Sequence, residues 1–285
     1  MASRFILFLW CTNAALAQST ISPSEKSAFA GNAGWIDLRP SQAEGVQVTE
    51  TFLSGKAYAA NFGWLYFGDG TPANGHRYSG QSASDFGINL ETDGALSGYA
   101  YSPNTGWVVF EQAHGKPKLD FQTGKITGNA YSANLGWIAL DTAFSDLVTQ
   151  SMNRPDLDHD GIADSWEMLH FQNLTSATLL SDADGDFQTD LAEFQAGTNP
   201  QSAASRFRIV SQSYAWGSNL VSLTFTSEPN RLYHLEHSEN LTSPWQSSTL
   251  GTFSPDVGPV TTRTIPFPFS PSRFFRATAH LPLAP

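Results

Sequence analysis

Leu53-Ser-Gly-Lys-Ala-Tyr-Ala-Ala-Asn-Phe-Gly-Trp64 decides the fold, because the chain repeats it. Leu96-Ser-Gly-Tyr-Ala-Tyr-Ser-Pro-Asn-Thr-Gly-Trp107 and Ile126-Thr-Gly-Asn-Ala-Tyr-Ser-Ala-Asn-Leu-Gly-Trp137 align to it without gaps, and a shorter copy, Ala28-Phe-Ala-Gly-Asn-Ala-Gly-Trp35, precedes it. Each full copy follows a short alternating run: Val46/Val48, Ile88/Leu90 or Leu119/Phe121. Recurrence of this kind means one supersecondary unit used several times. The unit reads as strand, turn, strand, Asn-x-Gly turn, strand.

A three-residue hairpin loop ends in a residue with positive φ, which Gly34, Gly63, Gly106 and Gly136 adopt without steric cost. The Asn at the loop start can satisfy local backbone donors. That loop pairs Ala60 with Trp64 and Tyr58 with Tyr66, and places Leu53, Gly55, Ala57, Leu65 and Phe67 on one face. The first and third residues after each Trp are apolar: Ile36/Leu38, Leu65/Phe67, Val108/Phe110 and Ile138/Leu140. This face is the expected core.

Trp35, Trp64, Trp107 and Trp137 fall on the opposite face, each with a variable companion: Asp37, Tyr66, Val109 or Ala139. These aromatics either cover a neighbouring copy or second layer, or form a platform for sugar rings. Residues recurring at one place in every copy usually serve the stacking of copies, which favours the first reading. Alternation alone leaves a barrel, a sandwich and an open sheet equally available. The polar, Gly-rich segment from Gly68 to Asp85 breaks the period and is the candidate functional loop of this region.

Over residues 28–141 the units resemble a Tyr/Trp-Ser-x-Asn-x-Gly-Trp-Ile repeat of exported bacterial proteins. The resemblance implies no known activity.

Downstream the charge changes abruptly. The 285 residues carry 15 basic and 26 acidic side chains, a net charge of −11, and charged residues make up only 14%. Residues 151–200 hold 10 of the acidic groups and a single base, Arg154. Nucleic-acid affinity comes mainly from Lys and Arg on the phosphate backbone, so no nucleic-acid partner is expected. The block would repel itself unless a cation or solvent neutralised it.

Its spacing names the cation. In Asp156-Leu-Asp-His-Asp-Gly-Ile-Ala-Asp-Ser-Trp-Glu167, acidic residues occupy positions 1, 3, 5, 9 and 12 of the twelve-residue calcium template, with Gly161 at position 6. Ca²⁺ takes 6–8 hard oxygens. Asp156, Asp158, Asp160 and Asp164, the backbone carbonyl of Ile162, and both oxygens of Glu167 on a following helix would supply them. His159 at position 4 points to solvent. Trp166, Leu169 and His170 give that helix its expected buried side. A second loop starts 26 residues later, with Asp182, Asp184, Asp186, the carbonyl of Gln188, Asp190 and Glu193 as ligands. There Phe187 stands where the template has Gly, so the turn is expected to be strained. The helix after it is expected to stop at Gly197. The pair, over about residues 154–204, resembles bacterial thrombospondin type 3 repeats and, more distantly, dockerins and EF-hands. That resemblance implies calcium-dependent folding of a linker in exported multidomain proteins, without catalysis or signalling.

The ends complete the expected organisation. Residues 1–17 read as a signal peptide, with a basic start, an apolar Phe5–Trp10 run, and cleavage after Ala17. This predicts a secreted or cell-surface protein with no membrane span after cleavage. Cys11, the single cysteine, leaves with it. From Arg206 short alternating runs recur, at Phe207–Ile209, Val221–Phe225, Leu232–Leu235, Thr261–Ile265 and Phe274–Phe275, as in a small sandwich. The expected fold is mainly β: a tandem β-hairpin repeat domain (18–150), a short helical calcium-loop linker (151–204) and a C-terminal small β-sandwich (205–285).

Catalytic motifs are lacking: there is no Gly-x-Ser-x-Gly elbow, no His-Glu-x-x-His and no phosphate loop. In His234-Leu-Glu-His237 the strand period turns His237 away from His234 and Glu236. The expected function is a non-enzymatic, calcium-binding exported protein with a structural or adhesive role, partnered by an extracellular glycan or surface protein. The alternative is a carbohydrate-binding protein that uses the aromatic face of the repeats.

Overall fold

A computed structural model describes residues 18–41, 43–215, 217–266 and 273–284. Residues 1–17, which read as a signal peptide and include Cys11, lie outside the described residues. The chain is mainly β. Its first thirteen strands are β1 (Ile21–Ala30), β2 (Gly34–Asp37), β3 (Val46–Val48), β4 (Phe52–Ala59), β5 (Gly63–Gly68), β6 (Ile88–Leu90) and β7 (Leu96–Ser102). They continue with β8 (Gly106–Phe110), β9 (Lys118–Leu119), β10 (Lys125–Thr127), β11 (Asn129–Ser132), β12 (Gly136–Ala139) and β13 (Leu147–Thr149).

Each sequence copy forms one antiparallel hairpin: β1–β2, β4–β5, β7–β8 and β11–β12. The hairpins join side by side through β2–β4, β5–β7 and β8–β11, and β12 returns to β1. The result is a closed eight-stranded barrel. Closure removes the free edges that an open sheet would present. Strands β3 and β6 pair onto β4, and β13, β10 and β9 extend the sheet beside β1.

The hairpin register differs from the expected one. Tyr58 pairs with Trp64 and Ala59 with Gly63, so Gly63 (φ +83°) opens the returning strand instead of ending the loop. Tyr101–Trp107, Tyr131–Trp137 and Phe29–Trp35 repeat the pairing. The slip changes the sum of paired positions by two, which keeps every side chain on its face. The expected core therefore holds. Ile36, Leu65, Val108 and Ile138, with Leu38, Phe67, Phe110 and Leu140, are all buried and fill the lumen together with Ala57, Ala59, Ala100 and Ala130.

The aromatic face departs from the favoured reading. Trp35, Trp107 and Trp137 are 47%, 46% and 48% exposed, and Trp64 is half-buried beneath the Lys56 ammonium, 4.2 Å from its ring centroid. Because the lumen takes the aliphatic face, no second layer is needed to complete the core. Each Trp instead packs against the ring paired with it, at 4.8–5.1 Å between centroids. The variable companion also has a place. Asp37, Tyr66, Val109 and Ala139 pair with Tyr58, Tyr101, Tyr131 and Phe29 of the adjoining hairpin.

After the barrel come α1 (Asp164–His170) and α2 (Asp190–Ala196), then β14 (Ile209–Ala215), β15 (Leu220–Thr226), β16 (Leu232–Ser238), β17 (Gln246–Phe253), β18 (Val260–Pro266) and β19 (Phe274–His280). The last six strands make two three-stranded sheets, β14-β15-β18 and β17-β16-β19. Val221, Leu223 and Phe225 of the first sheet and Tyr233 and Leu235 of the second form one shared core.

Candidate metal centre

The two acidic loops fold alike despite different sequences. Each first Asp ties its own loop. Asp156 accepts from the backbone N–H groups of Asp160 (3.2 Å) and Gly161 (2.9 Å), and Asp182 accepts from those of Asp186 (3.1 Å) and Phe187 (2.9 Å). The Asp at position 5 accepts from position 7, Asp160 from Ile162 (2.9 Å) and Asp186 from Gln188 (2.7 Å). Both loops carry positive φ at positions 4 and 6. One supplies His159 (+62°) and Gly161 (+90°), the other Gly185 (+76°) and Phe187 (+73°). Each loop thus has glycine at one left-handed position and a side chain at the other. Phe187 takes the conformation the template demands while its ring stays 94% exposed.

In each loop the first three carboxylates converge. Oxygens of Asp156, Asp158 and Asp160 lie within 4.8 Å of one another, as do those of Asp182, Asp184 and Asp186. Among the described residues these are the groups whose acidic, His or Cys ligand atoms meet in this way. His234 and Glu236 do not join such a group, and Glu236 instead pairs with Arg276 (2.6 Å).

The Glu at position 12 marks the centre most clearly. Glu167 is fully buried on α1, and neither carboxylate oxygen has a hydrogen-bond partner. An isolated buried carboxylate is costly unless it is neutralised or paired. Burial, reinforced by Asp158, Asp160, Asp164 and Asp156, pushes its pKa up to about 8. Glu193 is also fully buried. One of its oxygens accepts from Thr198 Oγ1 (3.1 Å) and the other is unpartnered. Burial and the facing Asp184, Asp186 and Asp190 raise its pKa to about 7, against the lowering effect of Thr198.

The Asp at position 9 also braces its loop. Asp164 Oδ1 accepts from Leu157 N–H (2.8 Å). Asp190 uses both oxygens, accepting from Ala183 N–H (3.1 Å) and Ser181 Oγ (2.6 Å). These two carboxylates fasten each loop to its helix. Ile162 is buried, and Gln188 spends its side-chain oxygen on Phe207 N–H (3.2 Å).

The shared core beneath the loops is thin: Ile162, Ala163, Trp166, Ala177 and Phe194. Trp166 packs on Phe194 (5.7 Å) and His170 (4.6 Å), as its expected burial requires. Leu169 is exposed, contrary to expectation, because α1 turns Ser165, Trp166 and Glu167 inward. Helix α2 stops at Gly197 (φ +79°), as expected.

Two arginines that the loop template does not reveal also shape the site. Arg206 pairs with Asp186 Oδ2 (2.9 Å) and donates to the Asp186 carbonyl, which places a fixed positive charge on the second loop. Arg231, fully buried, donates to the carbonyls of Phe194 (2.6 Å) and Gln195 (3.0 Å) at the end of α2 and pairs with Glu50 (3.4 Å). Glu50 also receives Arg154 Nε (2.6 Å). A basic residue directly after an acidic block was the available sequence signal for Arg206. Arg231 had none.

Comparison with protein-family models, with curated proteins and with solved structures finds no match for this chain.

Proposed function

We propose that this chain is an exported, non-enzymatic calcium-binding protein with a structural or adhesive role outside the cell. In this reading a four-hairpin repeat barrel and a C-terminal sandwich are joined by a calcium-stapled segment. Asp156, Asp158, Asp160, the Ile162 carbonyl and Glu167 would hold one ion. Asp182, Asp184, Asp186, the Gln188 carbonyl and Glu193 would hold the other. Calcium would supply the positive charge that the buried carboxylates lack.

The observation that carries the reading is Glu167, buried with both oxygens unpartnered beside three converging Asp carboxylates. A solvated acidic spacer would not bury such a group. The thin core under the loops fits a segment that needs a metal to stay folded. Export rests on the pattern of residues 1–17.

A thermal melt of the mature protein with calcium and with excess chelator tests the proposal. An ion at 100 times its Kd adds about 2.7 kcal/mol to the fold that binds it. A transition that moves up with calcium is expected. Coincident melts would end the calcium reading.

A further inference from the structure

The aromatic belt around the barrel changes character beside Trp107. Residues 69–87, between β5 and β6, rise against the wall there. Trp107 is held on several sides, by Phe86 at 5.1 Å and 86°, Tyr101 at 4.8 Å and Tyr99 at 6.0 Å and 75°. The loop backbone lies directly on Tyr99: a Cβ added at Gly80 (φ +66°) would stand 3.2 Å from that ring. Between loop and wall is an open recess of about 360 Å³ lined by Gly80, Gln81, Ser82, Ala83, Tyr99 and Trp107.

Loops of this length without regular structure are usually functional or disordered, and this one is firmly tied. Asp85 accepts from the N–H groups of Ala73 (3.2 Å) and Ser79 (3.1 Å), and its carbonyl accepts from Gly80 (3.0 Å). Asn89 exchanges two hydrogen bonds with the backbone of buried Tyr78, at 2.9 and 3.0 Å. Arg77 grips Glu91 with both arms of its guanidinium, at 2.8 and 2.6 Å. A recess with walls ordered in advance loses little entropy when it binds.

The lining selects a chemistry. One wall is aromatic, the other offers the Gln81 carboxamide, the Ser82 hydroxyl and loop backbone, and no charged side chain lines the space. An anion would find no cation there, since the neighbouring Arg77 is spent on Glu91. An alkyl chain would make no use of the Gln81 carboxamide or of the free bonding capacity of the Ser82 hydroxyl, which meets Ser84 Oγ at 3.2 Å. A pyranose ring presents an apolar C–H face to stack on aromatics and a rim of hydroxyls for the polar side. We infer that this recess binds a neutral sugar ring, stacked on Trp107 and Tyr99 and hydrogen-bonded by Gln81 and Ser82. The recess uses none of the acidic-loop residues, although Gly75 of the same 69–87 loop lies against Met168 of α1.

Affinity electrophoresis of the mature protein in gels containing xyloglucan, galactomannan, xylan, starch or hydroxyethylcellulose, with alginate as the anionic control, tests it. At least one neutral polysaccharide retards the native chain. Trp107→Ala and Ser82→Trp, which fills the recess from an exposed loop position, weaken that retardation at least tenfold, while Trp137→Ala, the equivalent residue on another hairpin, leaves it unchanged. Should Trp107→Ala lower the melting temperature, Ser82→Trp decides alone. Three results overturn the assignment: no retardation in any neutral gel, retardation only in alginate, or retardation that survives Ser82→Trp or is lost equally in Trp137→Ala.

Discussion

The side-chain amide of Asn32 donates to the carbonyl of Leu135 over 3.2 Å, and so ties the first hairpin to the last. The same bond recurs around the barrel, from Asn61 to Ala33, Asn104 to Phe62 and Asn134 to Thr105, each at 2.9 Å. Every Asn-x-Gly loop therefore reaches to the middle residue of the adjoining loop, and the four bonds form a ring at one end of the barrel. Gly34, Gly63, Gly106 and Gly136 lie against this ring: a Cβ at each would stand 3.4–3.8 Å from an Asn amide nitrogen.

Loss of one ring bond is expected to cost about 0.5–1.5 kcal/mol, the net worth of an ordinary hydrogen bond. Asn104→Ala removes the donor without setting a carboxylate against the Phe62 carbonyl, and urea unfolding should show that loss. An unchanged midpoint would mean the ring is a by-product of closure with no share in stability.

Glu167→Gln separates the cost of the buried carboxylate from its use. With chelator present at neutral pH the variant should melt above the native chain, because Glu167, its pKa raised to about 8, must take up a proton to stay buried whereas Gln need not. With calcium it should melt below, because the proposed bidentate ligand is gone. Variants lower in both conditions would point to ordinary packing damage.

Phe187 holds φ +73° with its ring in solvent, so glycine there removes strain without losing contacts. Phe187→Gly is expected to stabilise the calcium-bound fold by about 1 kcal/mol. Chemical denaturation with saturating calcium measures this, and a destabilised variant would show that the left-handed turn carries no strain.

The Arg206 guanidinium sits 2.9 Å from a carboxylate of the second loop and competes with any cation there. Arg206→Gln should tighten calcium binding at that loop roughly threefold to tenfold, about 1 kcal/mol for a partly exposed pair. Calorimetric titration reads the two sites separately. A weaker second site would mean the arginine organises the loop instead.

Arg231 links α2, the C-terminal sheets and Glu50 of the barrel region in one buried cluster. Arg231→Met should cost about 3–5 kcal/mol, as expected when one member of a buried charge set is removed. The variant should also split the thermal transition, since the groups joining three parts of the chain are gone. A single transition with a small shift would show that the cluster does not couple them.

How much of this was legible in the sequence varies with the range of the interaction. The acidic-loop carboxylates at positions 1, 3 and 5 could be read directly, because they need only a short curled chain to converge. The same local reading gave Asp164 and Asp190 as ligands and did not show that their oxygens also brace the loops, by accepting from Leu157 and Ala183 N–H. Leu169 misled because a seven-residue helix can turn its burial toward either side, and the partner Phe194 lies too far along the chain to indicate which.

The alternation of each copy determined by itself which side chains line the lumen, since parity survives even the two-position slip that pairs Tyr58 with Trp64. Tertiary structure alone decided that the hairpins close, that the Trp face remains in solvent, and that Asn32 meets Leu135. Those outcomes depend on pairings such as Ala30 with Ile138, more than a hundred residues apart. Local propensity sets the face of a strand, but only the geometry of the whole ring sets its neighbours.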